Sequence, residues 1–227
     1  MTSFRMLVVS ISWAVLASPL LCAGDLSMYR SFRIGTDLAT IAGQVQLDPS
    51  RAKLIHRRPA LIQELDWRAQ PLGPSTQAEA VKEVVFSFYN DQLYRIVVNY
   101  DRYKTEGLTA EDLIEAISAT QGTATRVNTE IILSSIYADN ETLEVLARWE
   151  DAQYSFNLVR FSHAPSFTLV AVSKRLDAMA RAAVIEAIRL DAEEAPQREI
   201  ELQKKQAEEN RLQQGKARLA NKPSFRP

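Results

Sequence analysis

The stretch VKEVVFSFYNDQLYRIVVNY, residues 81–100, decides the fold class. It is rich in β-branched and aromatic residues, which suit extended chain. Val84, Phe86 and Phe88 alternate with Val85, Ser87 and Tyr89, so a strand here sorts its side chains onto two faces. Past Asn90-Asp91 the alternation resumes, with Tyr94, Ile96, Val98 and Tyr100 set against Leu93, Arg95, Val97 and Asn99. Asn and Asp tolerate the positive φ of a tight turn, so the pattern predicts an antiparallel hairpin.

Upstream, Leu38, Ile41, Ala42 and Val45 recur at helical spacing behind Thr36, a candidate cap, and Asp48-Pro49 ends the run. Residues 53–57 and 60–67 read as extended on either side of Pro59, and RAQPLGPSTQ (68–77) reads as a loop. Downstream, Thr109 and Asp112 form a capping-box pattern, Leu113, Ile114 and Ile117 an apolar face, and Gly122 a stop. Residues 127–136, 143–149, 153–161 and 166–173 read as strands, with Glu150-Asp151-Ala152 as a turn. The fold class expected is therefore α+β: antiparallel sheet with helices on one face, and a charged C-terminal helix. Phe86, Phe88, Ile96, Val98, Trp149 and Phe156 are the expected core, covered by helices around 113–117 and 176–188.

The two halves are alike in element order, and FSFYNDQLYRIVV (86–98) aligns without gaps on ARWEDAQYSFNLV (147–159). A tandem repeat and two unrelated helix-plus-meander pieces both fit this pattern. Ile34-Gly35-Thr36-Asp37-Leu38 and Gly107-Leu108-Thr109-Ala110-Glu111-Asp112-Leu113 each open a helix in the same way. These openings, with the hairpin from Phe86 to Val98, resemble the β-lactamase-inhibitor-protein fold and its single-unit form in small outer-membrane assembly lipoproteins. The resemblance spans about residues 30–174 and implies tandem helix-plus-hairpin units. The chain lacks the cysteine pairs of the secreted inhibitors and adds a charged C-terminal helix, so no functional residue carries over.

The N-terminus reads as a secretory signal: Arg5, then MLVVSISWAVLASPLLCAG with Pro19 near its end and Ala23 before the expected cut. An uncleaved anchor and a lipoprotein processed at Cys22 are the competing readings, the second weakened by Leu21 ahead of the cysteine. Cleavage after Ala23 leaves a chain without cysteine, a pattern favouring the bacterial periplasm or extracellular space. The expected organisation is a signal at 1–23, α+β units at 24–106 and 107–174, a helical segment at 175–218 and a flexible tail at 219–227. Pro196 is the expected joint within the helical segment. Beyond it Ile200, Leu202, Ala207 and Leu212 make no heptad seam, so residues 197–218 read as an exposed polar arm.

Charge and motif exclude several functions. The 27 basic and 28 acidic residues leave a net charge of −1, without the basic excess of a nucleic-acid binder. His56 and His163 are the only histidines and lie in different halves, so no metal or other cofactor is expected. Ser50-Arg51-Ala52-Lys53 matches S-x-x-K, but the S-D-N and K-T-G partners of that chemistry are missing. No catalytic residue is assigned. Two surface groups remain as candidate binding residues: Arg57 and Arg58 in a basic stretch, and Tyr100, Arg102, Tyr103 and Lys104 where the halves meet. The reading is an exported, non-enzymatic protein that binds another envelope protein, with no stable membrane span once the signal is removed. Its alternative is a hydrolase whose site is assembled from dispersed residues.

Overall fold

In the computed structural model, residues 24–68, 80–127, 129–135, 138–161, 166–224 and 226 are described. The hairpin expected at 81–100 is present as β5 (Val81–Tyr89) and β6 (Gln92–Tyr100). Asn90 and Asp91 join them with φ of 46° and 64°, the left-handed pair that a two-residue hairpin loop requires. Both turn side chains also serve neighbours: Asn90 Oδ1 accepts from the Leu61 amide at 2.9 Å, and Asp91 Oδ1 from the Leu38 amide at 3.0 Å.

Before the hairpin come a two-stranded ribbon of β1 (Met28–Tyr29) and β2 (Phe32–Arg33), helix α1 (Leu38–Gln44), and strands β3 (Lys53–His56) and β4 (Ile62–Arg68). After it come α2 (Ala110–Gln121), β7 (Thr129–Ser135), β8 (Ala138–Glu150), β9 (Tyr154–Phe161), β10 (Phe167–Ser173) and α3 (Lys174–Asn221). The fold is α+β, as the alternation patterns implied. The cap of α1 is Asp37 rather than Thr36: its carboxylate accepts from the Thr40 amide at 2.8 Å. The Thr109–Asp112 capping box and the Gly122 stop of α2 are both present.

Strands β3 to β10 form one antiparallel eight-stranded sheet in the order β3-β4-β5-β6-β10-β9-β8-β7. Each half contributes a helix followed by a four-stranded meander, and the last strands of the two meanders, β6 and β10, pair at the centre around Val97 and Val170. This order places β5 opposite β9 and β4 opposite β8. The ungapped alignment of 86–98 on 147–159 is therefore one strand out of step, since it matches β5 with β8.

Register explains the core. One row across six strands reads Leu65, Phe86, Ile96, Ala171, Phe156, Trp149, and the next reads Trp67, Val84, Val98, Leu169, Leu158, Ala147. Leu38 and Ile41 of α1 and Leu113 and Ile114 of α2 pack on this face. Trp149 donates its indole N–H to Gly122 O at 3.0 Å and Ser118 Oγ at 3.2 Å, which ties β8 to the end of α2.

The third helix departs from the expected one-sided arrangement. Leu176 and Ala180 of α3 pack with Ile62 and Tyr94. Alternation puts Ile62 on the opposite face from Leu65. A bulge in β6, where Ser87 pairs with Arg95 but Phe88 with Leu93, turns Tyr94 to that second face and Leu93 to the core, against the simple alternation expected. A further buried cluster on that second face joins Leu143, Val145, Val159 and Val170. Helix α3 also runs unbroken through Pro196 and past Arg218 to Asn221, where a joint and then a flexible tail were expected. Pro196 removes one backbone donor, and Arg198 reaches back across the gap to the Asp191 carbonyl oxygen at 3.0 Å and its carboxylate at 2.9 Å.

Candidate functional site

Tyr100 ends β6, and the chain then turns sharply at Asp101. The Asp101 carboxylate accepts from the amides of Tyr103 at 2.8 Å and Lys104 at 3.3 Å. Its carbonyl oxygen accepts from the Thr105 amide at 3.0 Å and hydroxyl at 2.9 Å. Its own amide donates to Ala80 O at 2.7 Å. The Lys104 amide also reaches the Asp101 carbonyl oxygen at 3.2 Å. Six hydrogen bonds thus converge on one residue and fix the loop that carries Arg102 and Tyr103. Both side chains are exposed, and the Arg102 guanidinium lies 4.8 Å from the centre of the Tyr103 ring.

The turn borders a cleft of about 330 Å³, lined by Lys82 and Glu83 of β5, Asn99 to Tyr103 at the end of β6, and Ser166 to Thr168 where β10 begins. Register brings these segments together: Glu83 pairs with Asn99, and Asn99 with Thr168. The Thr168 hydroxyl donates to Asn99 Oδ1 at 2.9 Å, across the joint between the halves. Burial, reinforced by the neighbouring Tyr29, pushes the Tyr100 phenol up from its ordinary pKa, so this hydroxyl stays protonated. The cleft combines an aromatic wall of Tyr100 and Phe167 with charges of both signs. Ser166, just before β10, and Thr168 within it add hydroxyls, and no histidine stands beside them among the described residues that line it.

The other candidates lie elsewhere. Arg57 and Arg58 occupy the β3–β4 turn, which meets the Asn90 end of the hairpin, so the length of β6 separates them from Tyr100: about 27 Å at 3.3 Å per residue. Arg58 forms a two-pronged bond to Glu194 of α3, at 2.6 and 2.5 Å, with Asp191 at 3.7 Å. This surface ion pair joins the β3–β4 turn to α3. Arg57 is exposed beside it.

A buried charged group on the second face escaped the sequence reading. Glu64 of β4 accepts from Arg95 Nη2 of β6 at 3.1 Å and from the Ser87 hydroxyl of β5 at 3.1 Å. Burial raises the Glu64 carboxyl above its ordinary value, against the opposing pull of Arg95 and Ser87. Its Oε2 is buried without a hydrogen-bond partner. The group ties β4, β5 and β6 together. Gln63-Glu64-Leu65-Asp66 gives no hint of it, because which face is covered is not a local property: α3, which packs on the same face at Ile62 and Tyr94, comes more than a hundred residues later in the chain.

No protein-family model matches the chain, and no curated protein or solved structure is detectably similar to it. Among the described residues no helix is long and apolar enough to cross a membrane.

Proposed function

We propose that this is an exported, non-enzymatic protein that binds another protein of the bacterial envelope through the Tyr100–Lys104 turn and the cleft beside it. The observation that carries the reading is the stacked Arg102–Tyr103 pair, exposed on a turn held by six hydrogen bonds at Asp101. Arg and Tyr dominate protein-binding hot spots, and a turn already fixed in place loses little conformational entropy on docking. The mixed lining suits a polypeptide segment carrying both apolar and charged groups. The apolar run ending at Ala23 supports export, although residues 1–23 lie outside the described residues.

The test compares wild type with the Arg102→Ala/Tyr103→Ala variant in capture from envelope extract, followed by affinity measurement on the captured protein. Loss of two hot-spot side chains should weaken binding at least about tenfold. Unchanged affinity in the variant would remove the turn as the binding surface. Export is checked separately by N-terminal sequencing of protein produced in a bacterial host. The mature chain should begin near Gly24, and intact Met1 in the membrane fraction would overturn cleavage.

A further inference from the structure

The outward face of α3 carries two isoleucines in water. Leu176, Ala180, Ala183 and Ala187 are buried against the body. Ile185 and Ile188, on the other side of the helix, are 70% and 59% exposed. They belong to a longer stripe. Ala178, Ile185, Ala192 and Glu199 are spaced by seven, and so are Arg181, Ile188, Ala195 and Leu202, each three places after a member of the first series. This is the two-position heptad pattern of a helix that pairs with another helix. All eight residues are exposed. The stripe straddles Pro196: six of its eight residues precede the segment 197–218 in which no seam was found, and Glu199 and Leu202 extend it into that segment's first turns.

We propose that this stripe is the interface between two copies of the chain, whose α3 helices pair antiparallel about Leu190. Antiparallel heptads oppose one series with the other. Centred on Leu190, that arrangement sets Ile185 against Ala195 of the second copy, Ile188 against Ala192, Arg181 against Glu199 and Ala178 against Leu202, each contact occurring twice by symmetry. Three of the four layers set a large apolar side chain against alanine, and the fourth sets a cation against an anion.

The alternatives are worse. Sliding by one heptad sets Arg181 against Ala192 or Ile188 against Glu199. Parallel pairing sets Arg181 on Arg181 and Glu199 on Glu199, which repels. The matched stripe spans about 36 Å at 1.5 Å per residue. Because it points away from the sheet, the two bodies lie on outer sides of the helix pair, and the interface is isologous. Arg181 already donates to Asp177 at 2.7 Å, and a guanidinium has further N–H groups for Glu199 of the second copy. The surface is separate from the cleft, so this inference does not depend on partner binding there.

Sedimentation equilibrium of the purified protein over a range of concentrations tests the proposal, with circular dichroism to confirm that each variant is folded. Wild type should dimerise reversibly. Ile188→Asp buries two carboxylates at the seam and should weaken the dimer by more than about a hundredfold. Glu199→Arg sets like charges against Arg181 and should weaken it by about tenfold. Adding Arg181→Glu to Glu199→Arg restores opposite signs and should recover most of that loss. A wild-type protein that stays monomeric at its highest soluble concentration overturns the proposal. So does a dimer that folded Ile188→Asp leaves intact, or a charge swap that fails to rescue.

Discussion

At Glu64 burial and charge pairing oppose each other, and burial is the larger effect. Well below the ordinary carboxylate range the folded and unfolded chains both hold the proton, and this residue's contribution to stability is at its highest. As pH rises, the unfolded chain loses its proton first, so stability falls until the folded carboxyl ionises as well. Glu64→Gln removes that decline. Urea unfolding between roughly pH 4 and 7 should therefore show the variant gaining on wild type as pH rises. The opposite slope would mean that the Arg95 attraction outweighs burial. Phe88 tests the other face. It is fully buried among the core residues of the sheet and α1, and Phe88→Ala should cost about 3–5 kcal/mol in urea unfolding. A loss below about 1 kcal/mol would be the effect of a surface site and would contradict this packing. Core positions such as Phe88 were legible because strand alternation is a local signal. The burial of Glu64 was not, because it depends on tertiary packing over the second face rather than on the residues around it.

Among the elements, those with local punctuation were read best. Asn90-Asp91 supplied the left-handed turn, Thr109 with Asp112 the cap of α2, and Gly122 its stop. Helix α3 was read as one amphipathic segment followed by a separate arm, and its two apolar faces were merged. Leu176, Ala180, Ala187, Ile185 and Ile188 all fit helical spacing, yet only the first three face the body. Pro196 suggested a joint, but a helix with many residues on each side keeps its remaining hydrogen bonds, and Arg198 spans the break. From Ala195 to Pro223 every residue is exposed, so this part of α3 contributes little to the body's stability. Deleting residues 197–227 retains the Arg58–Glu194 pair and should leave the thermal midpoint of dilute protein within a few degrees of wild type. The same deletion removes Glu199 and Leu202 from the seam. Any rise of the midpoint with protein concentration in the full chain should therefore shrink in the truncated one. A midpoint lowered by many degrees in dilute solution would show that the distal helix packs on the body.

Across the whole molecule, the sheet is continuous only because β6 and β10 pair. The sequence displayed the repeated order of helix and meander but not the point about which the halves are related. Two acidic turns, Asn90-Asp91 and Glu150-Asp151, drew the alignment one strand away from the relation that the sheet order reveals. The central pairing is a property of register, which composition does not display. It also fixes how a half behaves alone. In the fragment 24–106, β6 would lose its partner and expose a nine-residue edge bearing Ile96 and Val98, both fully buried in the intact chain. A second copy can take the place of β10. Two β6 strands paired antiparallel about Val97 set Ile96 against Val98 and Arg95 against Asn99, with no like charges opposed. The fragment is therefore expected to be a dimer by light scattering, with β-rich circular dichroism and one eight-stranded sheet made of two four-stranded halves. Val97→Lys would set two lysines against each other at the centre of that pairing, and it should leave the fragment unfolded or aggregated. A fragment that folds as a stable monomer would show that each half completes its own core, and that the β6–β10 pairing joins two independent domains.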